Sequence, residues 1–508
     1  MVDSAPIGSV IVMLGTAAGG PVLEPIEVTS PAHAAAVFGY GGTLYNAYRM
    51  AYAVNPNATY CLMRINGKHA RRLLVLTDTD GRQCFFEIKS REAGEVGNRI
   101  AVAADAGQLL FFLSDDQGDQ LVGSYALSNY PALGMLVEAI NNDSVPVSVS
   151  ATDPDFASDA LIAALEALKA ELGTSVVYLD GGNDELAPSK DELYQMLEDA
   201  YSVLEGRRTD IVVLLDARFN DVSYTLFLEE GDTDQSYTMW YSDDPDFLDT
   251  YPLSNGEPPT FHGQLIDFCR RQAAVGVSTV GVLGVRPIPD SVPVLNAEHI
   301  ASFIKFSCLN NRLGFVRDGT DFGHYISIVF GDLAFDGMYI SGAPAYAALL
   351  AAYGTETTTN KPLVSITEQR VELDDEALRW ASAAGLVVFY NSVKNGLSVY
   401  NGVTAAPYER PLRYIANVRT GHYIISRLRN VLDSFVGTTG GIIPIREMVK
   451  RAADETMKAI QREGVIKSYS LDMTEYQYDA FSFGCLIDVT FKAKYAVEDM
   501  SATMVFNV

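Results

Sequence analysis

The alternation of apolar and polar positions changes character along the chain. Residues 9–14 form a short apolar run closed by the Gly- and Pro-containing stretch 15–21, which predicts a strand running into a turn. Pro21 and Val22 follow where a phosphate-binding loop would enter a helix carrying a lysine, so the stretch does not read as a P-loop. From about residue 67 to 152, short apolar runs at 73–76, 83–88, 100–103 and 109–113 stand between turn signals. Asp80-Gly81 is the expected hairpin turn, and the segment predicts an inserted β-rich domain.

Strands and helices then alternate. Residues 176–179 predict a buried strand. Ser189 and Glu192 form a capping box opening a helix whose apolar positions Leu193, Met196, Leu197, Ala200, Tyr201 and Leu204 keep 3,4 spacing until Gly206 stops it. Residues 211–215 predict the next strand, 264–275 a helix and 279–282 a further strand. This βαβαβ order favours a largely parallel sheet with helices on its faces. Amphipathic helices are expected over 414–435 and 445–463, the second with Met448, Val449, Ala452, Thr456, Met457 and Ile460 on one stripe and Gly464 at its end. Strands at 467–473 and 484–491 follow, and the chain closes on 501–508, where Met504, Phe506 and Val508 alternate with Thr503, Val505 and Asn507. Such a strand has to pair somewhere, because an unpaired edge leaves backbone groups unsatisfied and recruits other chains.

At 508 residues the chain exceeds the roughly 250–300 residues at which single cores stop growing. The expected fold class is α/β and multidomain, a core with helices on a mixed sheet plus inserted β-rich structure. The expected division is 1–66, the insertion 67–152, an α/β part 153–360 with an acidic insertion near 220–260, and a carboxyl-terminal part 361–508 ending in the alternating strand. No stretch approaches the ~18 uninterrupted apolar residues of a membrane span. The first ten residues lack the basic start and apolar run of a secretory signal, so the expected place of synthesis and assembly is the cytoplasm.

Thirty-seven basic against 64 acidic residues give a net charge of −27, which argues against direct nucleic-acid binding and against an anionic membrane as partner. Residues 211–260 hold eleven acids and one base, Arg218, whereas 410–467 hold eleven bases and five acids. Each is either a solvated face or one half of an acidic-to-basic contact between copies of the chain. Cys61, Cys84, Cys269, Cys308 and Cys485 form no CxxC or CxH pair, which removes zinc and dithiol motifs. The histidines His33, His69, His262, His299, His324 and His422 are scattered, with no HExxH or GxSxG nearby. No catalytic residue, cofactor or metal is expected. The best ligand-loop candidate runs from Asp180 to Glu185, because loops after parallel strands are where such sheets bind ligands; its three acids would repel phosphate, and a turn is the alternative. Asp243, Asp244, Asp246 and Asp249 could hold a cation or form a solvated acidic loop. An enzymatic or small-molecule-binding α/β protein with a site near Asp180–Asp184 is therefore the second functional reading.

Several segments, in order, resemble the contractile tail sheath family of myophages and related injection systems. The apolar strand and Gly-Pro turn of residues 10–21, followed by Pro25 to Ser30 and by Val37, Phe38 and Gly39, are similar to the opening of that family. Gly94, Gly97, Asn98 and Ile100 resemble its "G..GN.i" segment, and Ile140, Asn141 and Ser144 its "IN..S". Leu179, Gly181, Gly182 and Asp184 resemble its "L.GG.DG" turn, with Glu185 in place of the final glycine. Residues 335–343 resemble "P.sg.vAG" without the customary proline; 395–404 resemble "g..vwGarT", 415–436 a helix ending in "fvg", and 495–506 the closing "paE.I.i.i".

The resemblance implies a structural subunit and no enzyme. Copies would stack as hexameric rings in a helical sheath around a tail tube, contracting to drive the tube through a host envelope during genome ejection. Its expected partners are itself, the tail tube protein, and baseplate and tail terminator proteins, and its expected location is the contractile tail of a virion. It further implies that Leu486, Ile487, Asp488, Val489, Thr490 and Phe491 accept a strand, and that Thr503, Met504, Val505, Phe506, Asn507 and Val508 are donated to a sister copy. Only eight residues precede Ser9, a reach of at most about 29 Å. Either that stub suffices as a second link, or the carboxyl-terminal strand and charge complementarity carry more of the linkage.

Overall fold

The computed structural model describes residues 7–78, 80–115, 118–219, 226–227, 238–239, 260–285, 294–408, 410–435, 442–477 and 483–493. Its centre is an eight-stranded sheet. The strands are β1 (Val10–Gly15), β2 (Ile26–Val28), β3 (Thr59–Arg64), β4 (Ile211–Phe219), β5 (Val280–Val285), β6 (Ile326–Phe330), β7 (Leu386–Ser392) and β8 (Gly396–Val399), in the order β2-β3-β1-β4-β5-β6-β7-β8. Every pairing from β3 through β7 is parallel, and β2 and β8 add antiparallel edges. The result is a mixed sheet, as the strand and helix alternation predicts.

All six residues of β1 are buried because both faces of the sheet are covered, which explains why this strand reads as one apolar run. Ile11 and Met13 pack with α1 (Pro31–Phe38) and α2 (Leu44–Val54). Val12 and Leu14 pack with α3 (Lys190–Leu204) and α4 (Phe261–Ala274). α5 (Ala343–Tyr353) returns to the first face, and its run of buried alanines, Tyr346 and leucines makes it apolar nearly all round. α6 (Asp375–Ala384) joins the second face. α3 begins at the expected capping box: Ser189 Oγ accepts from Glu192 N at 3.3 Å, and the Glu192 carboxylate accepts from Ser189 N at 3.0 Å.

The β-rich insertion has its own core, drawn from residues between Ala70 and Leu179. Strands His69–Thr77, Gln83–Ala93 and Val147–Ala151 form one sheet. Ile100–Asp105, Gln108–Asp115 and Gly118–Ala126 form another. Gly81 sits in the first hairpin with φ +81°, as the Asp-Gly pair requires. The strand expected at 176–179 is a correction. Only Val177–Tyr178 is extended, and it pairs antiparallel with Ile100–Asp105 inside the insertion instead of joining the parallel sheet. Two residues leave too little backbone for a central strand, and Val177 and Leu179 instead complete the apolar core of the insertion.

At the other end lie α7 (Ile415–Leu432), α8 (Ile442–Arg462) and a hairpin of β9 (Ile466–Gln477) and β10 (Phe483–Ala493). The buried stripe of α8 is Val449, Ala453, Thr456, Met457 and Ile460. It differs from the expected stripe at two places: Met448 is half exposed and Ala453 replaces Ala452 at the contact. Ala is neutral to a periodicity reading, so the stripe keeps Val449, Thr456, Met457 and Ile460 and differs only at its margins.

His262 is buried and His422 half-buried, neither with a carboxylate partner among the described residues, and desolvation pulls their pKa values down to about 4 and about 3. Both rings stay neutral in the folded chain but take up protons below the ordinary 6.5 once unfolded. Their contribution to stability is complete above pH 6.5 and is lost as pH falls towards 4, by up to about 2.7 kcal/mol per pH unit for the two together. Denaturant midpoints measured from about pH 7 to about pH 5 should fall less steeply in His422→Gln than in wild type; parallel slopes would contradict this account.

Candidate functional site at the terminal hairpin

In a parallel sheet, ligands bind beyond the carboxyl ends of the strands where the strand order reverses. Here the order reverses between β1 and β4, with β3 on the far side of β1. The crevice is filled by the protein itself. The Thr16 amide, the Thr16 hydroxyl and the Thr43 hydroxyl donate to Asp216 at 2.8, 3.2 and 2.9 Å. Burial raises the Asp216 pKa, and these hydrogen bonds oppose the rise. Asn66 spans the Ala17 backbone, accepting from its amide at 2.8 Å and donating to its carbonyl at 2.9 Å. Arg64, with no exposed surface, donates to the carbonyls of Gly20 and Ala93 at 3.1 and 3.2 Å.

The Asp180–Glu185 loop is engaged in the same way. Asp180 pairs with Arg72 at 3.1 Å, Asp184 with Arg64 at 3.5 Å, and Glu185 with Lys68. Gly182 exchanges two 2.8 Å hydrogen bonds with the Asn98 amide, and a Cβ at Gly182 would stand 2.4 Å from the Gly94 carbonyl oxygen. The loop is thus a clasp in which the chain leaving the insertion is fastened to the chain entering it. Asp243, Asp244, Asp246 and Asp249 lie outside the described residues. Among the described residues no group of three His, Cys, Asp or Glu is placed to hold a metal.

Among the described residues this hairpin is the longest of the two-stranded ribbons, and β9 and β10 pair only with each other, so each keeps one outer edge. Of the expected acceptor residues, Leu486, Ile487, Asp488, Val489, Thr490 and Phe491 lie in β10, opposite Thr474, Met473, Asp472, Leu471, Ser470 and Tyr469. Ile487, Val489 and Phe491, with Tyr469 and Leu471, pack on Ile424 and Leu428 of α7 and on Ala453, Met457 and Ile460 of α8. Tyr469 is fixed by a 2.7 Å hydrogen bond from its hydroxyl to the Asp454 carboxylate. Asp472, Asp488, Thr490 and Lys492 face outward and are exposed. With one face buried and the other polar, the outer edges are what the hairpin has left to offer. The expected donated residues Thr503, Met504, Val505, Phe506, Asn507 and Val508 lie outside the described residues.

α7 mounts this hairpin on the main body. Its first turns, through Ile415 and Val418, belong to the core beneath the large sheet, and its second half, through Ile424 and Leu428, belongs to the core beneath the hairpin.

No protein-family model matches the chain, and no curated protein matches it. Among solved structures, the sheath tail protein of Listeria innocua superposes with a TM-score of 0.52 at 13% identity, covering 96% of each chain. The fold is that of a sheath tail protein. The sheath tail protein of Desulfitobacterium hafniense covers 96% of this chain and 98% of its own at 13% identity, with a TM-score of 0.48. The helical sheath of the anti-feeding prophage in its contracted state covers 99% and 94% at 8% identity, with a TM-score of 0.47.

Several residues that organise this fold carry no motif. Arg64 follows an apolar run without a break, and Asp216 and Arg218 follow another; a charge at the end of a buried strand was the available signal. Arg419 and His422 fall four and seven residues after Ile415, on its own helical stripe, which marks them as inward-facing; Arg419 is buried and His422 half-buried. The basic stretch 410–467 is partly consumed internally: Arg413 and Arg419 are buried, and Arg427 pairs with Glu463 at 3.2 Å.

The clasp predicts a contrast in stability. Arg64→Met removes a fully buried guanidinium from two carbonyls and Asp184, and should cost about 3 kcal/mol. Asp180→Ala breaks an ion pair whose acid is mostly exposed and should cost under about 1 kcal/mol. Chemical denaturation of both variants checks this, and equal effects would contradict the clasp.

Proposed function

We propose that the chain is the structural subunit of a contractile sheath and has no catalytic role. The observation that carries this reading is the terminal hairpin, a two-stranded ribbon whose outer edges are both unpaired among the described residues, mounted on a helix rooted in the main body. Strand addition supplies backbone hydrogen bonds that hold while the attached bodies turn, provided the linkers between them flex. On this reading β10, from Leu486 to Phe491, receives the alternating strand 503–508 of a sister copy. Repetition of that exchange builds stacked hexameric rings around a tail tube, bounded by baseplate and tail terminator proteins.

Contraction then needs no nucleotide, because an extended lattice relaxes into one with more contact between subunits. The assembly would belong to the tail of a phage particle or to a related injection system, put together in the cytoplasm of a bacterial host. The division of labour follows the chain: residues 1–66 and 180–360 supply the body, 67–179 the β-rich insertion, whose core reaches Leu179, and 361–508 the linking end. A ligand-binding reading has less support, since the crevice at the strand-order reversal is occupied by Asp216, Thr16 and Asn66.

The purified chain should form tubes or ring stacks in electron micrographs, and a chain ending at residue 500 should give only small species under the same conditions. An intact chain that stays monomeric at high concentration would overturn the reading.

A further inference from the structure

The point where the amino-terminal segment enters the body is held by two side chains from distant parts of the sequence. Asp210, just before β4, accepts from the amides of Gly8 and Val10, both at 3.0 Å. From α7, Arg419 donates to the Gly8 carbonyl at 2.7 Å across 411 residues of sequence. Gly8 has φ +85°, and a Cβ there would stand 2.6 Å from Arg419 Nη2, so the guanidinium lies flush against the backbone. Arg419 is 6% exposed. Its Nη1 is buried and has no hydrogen-bond partner among the described residues, beside a cavity of about 20 Å³ lined by Gly8, Asp210, Ser278, His422 and Ser426. That is room for one water. Burial lowers the Arg419 pKa to about 10, with Asp210 opposing the fall, so the side chain is charged at neutral pH.

Two residues further along the same helix, Gly421 approaches the Phe491 ring of β10, and Ile424 and Leu428 carry the hairpin. A helix of this length spans about 27 Å. The root of the amino-terminal segment and the linking hairpin are therefore gripped by one rigid element.

We propose that Arg419 is a positioning residue that locks the root of the amino-terminal segment to the helix bearing the terminal hairpin, so that displacement at one is passed to the other through this side chain. Its use in assembly rests on the sheath reading; the lock itself does not.

Hydrogen–deuterium exchange of the full-length chain, dispersed at low concentration, tests the lock. Arg419→Met should speed exchange at least tenfold in two separate segments, residues 8–10 and the hairpin strand Phe483–Ala493, while β5 and β6 keep their protection. Arg419→Lys, which retains a charged donor, should recover part of both changes. Faster exchange at residues 8–10 alone would mean a local hook and would overturn the proposal, as would no change in either segment. If loss of protection in β5 reveals that Arg419→Met is unfolded, Gly8→Ala displaces the guanidinium from the other side without altering α7. The same paired rise is expected there, and its absence overturns the proposal. A wild-type chain that never polymerises would sink the sheath reading while leaving this comparison intact.

Discussion

Along either strand of a hairpin, about half of the peptide groups point away from the partner strand, and each must find a donor or acceptor in water or in protein. That requirement governs the carboxyl-terminal end of this chain. β9 and β10 bury one face on α7 and α8 and turn a polar face outward, and among the described residues their outer edges are unpaired. An isolated two-stranded ribbon is marginal in water, and a third or fourth strand makes it stable. The hairpin endures in the single chain because Ile487, Val489, Phe491, Tyr469 and Leu471 share a small core with the two helices.

The rest of the molecule gives that hairpin a fixed base. A sheet buried on both faces is stiff, and α7 grows directly out of its core through Ile415 and Val418. The insertion is fastened at its neck by the Arg64, Lys68 and Arg72 pairs with Asp184, Glu185 and Asp180. The hydrogen bonds of Thr16 and Thr43 to Asp216, with Asn66 on the Ala17 backbone, occupy the place where a doubly wound sheet would otherwise bind a small molecule.

Much of this was legible in the residues. β1 reads as a fully buried strand because it is six apolar residues long, and α3 is announced by Ser189 and Glu192 before any packing is considered. The hairpin strands follow from their alternation. Tertiary context decided what the pattern could not. Val177 and Tyr178 look like any short buried strand, and only the small size of the insertion's sheet makes them its edge. Ala452 and Ala453 are equivalent to a hydrophobic count, so the stripe of α8 turned on packing against α7. The Asp180–Glu185 loop stood out in the sequence as a ligand-loop candidate or a turn, but its acids answer basic residues more than a hundred positions earlier, a pairing that no local spacing encodes. Arg419 was hidden for the same reason: its partner, Gly8, lies at the other end of the chain.

The central claim is that copies of this chain are joined backbone to backbone at the hairpin. A reconstruction of the assembled particle at a resolution that traces main chain tests it directly. The account predicts a strand from a sister copy hydrogen-bonded along the outer edge of β10. Residues 503–508 folded back onto their own subunit, with both hairpin edges facing solvent in an intact particle, would contradict it.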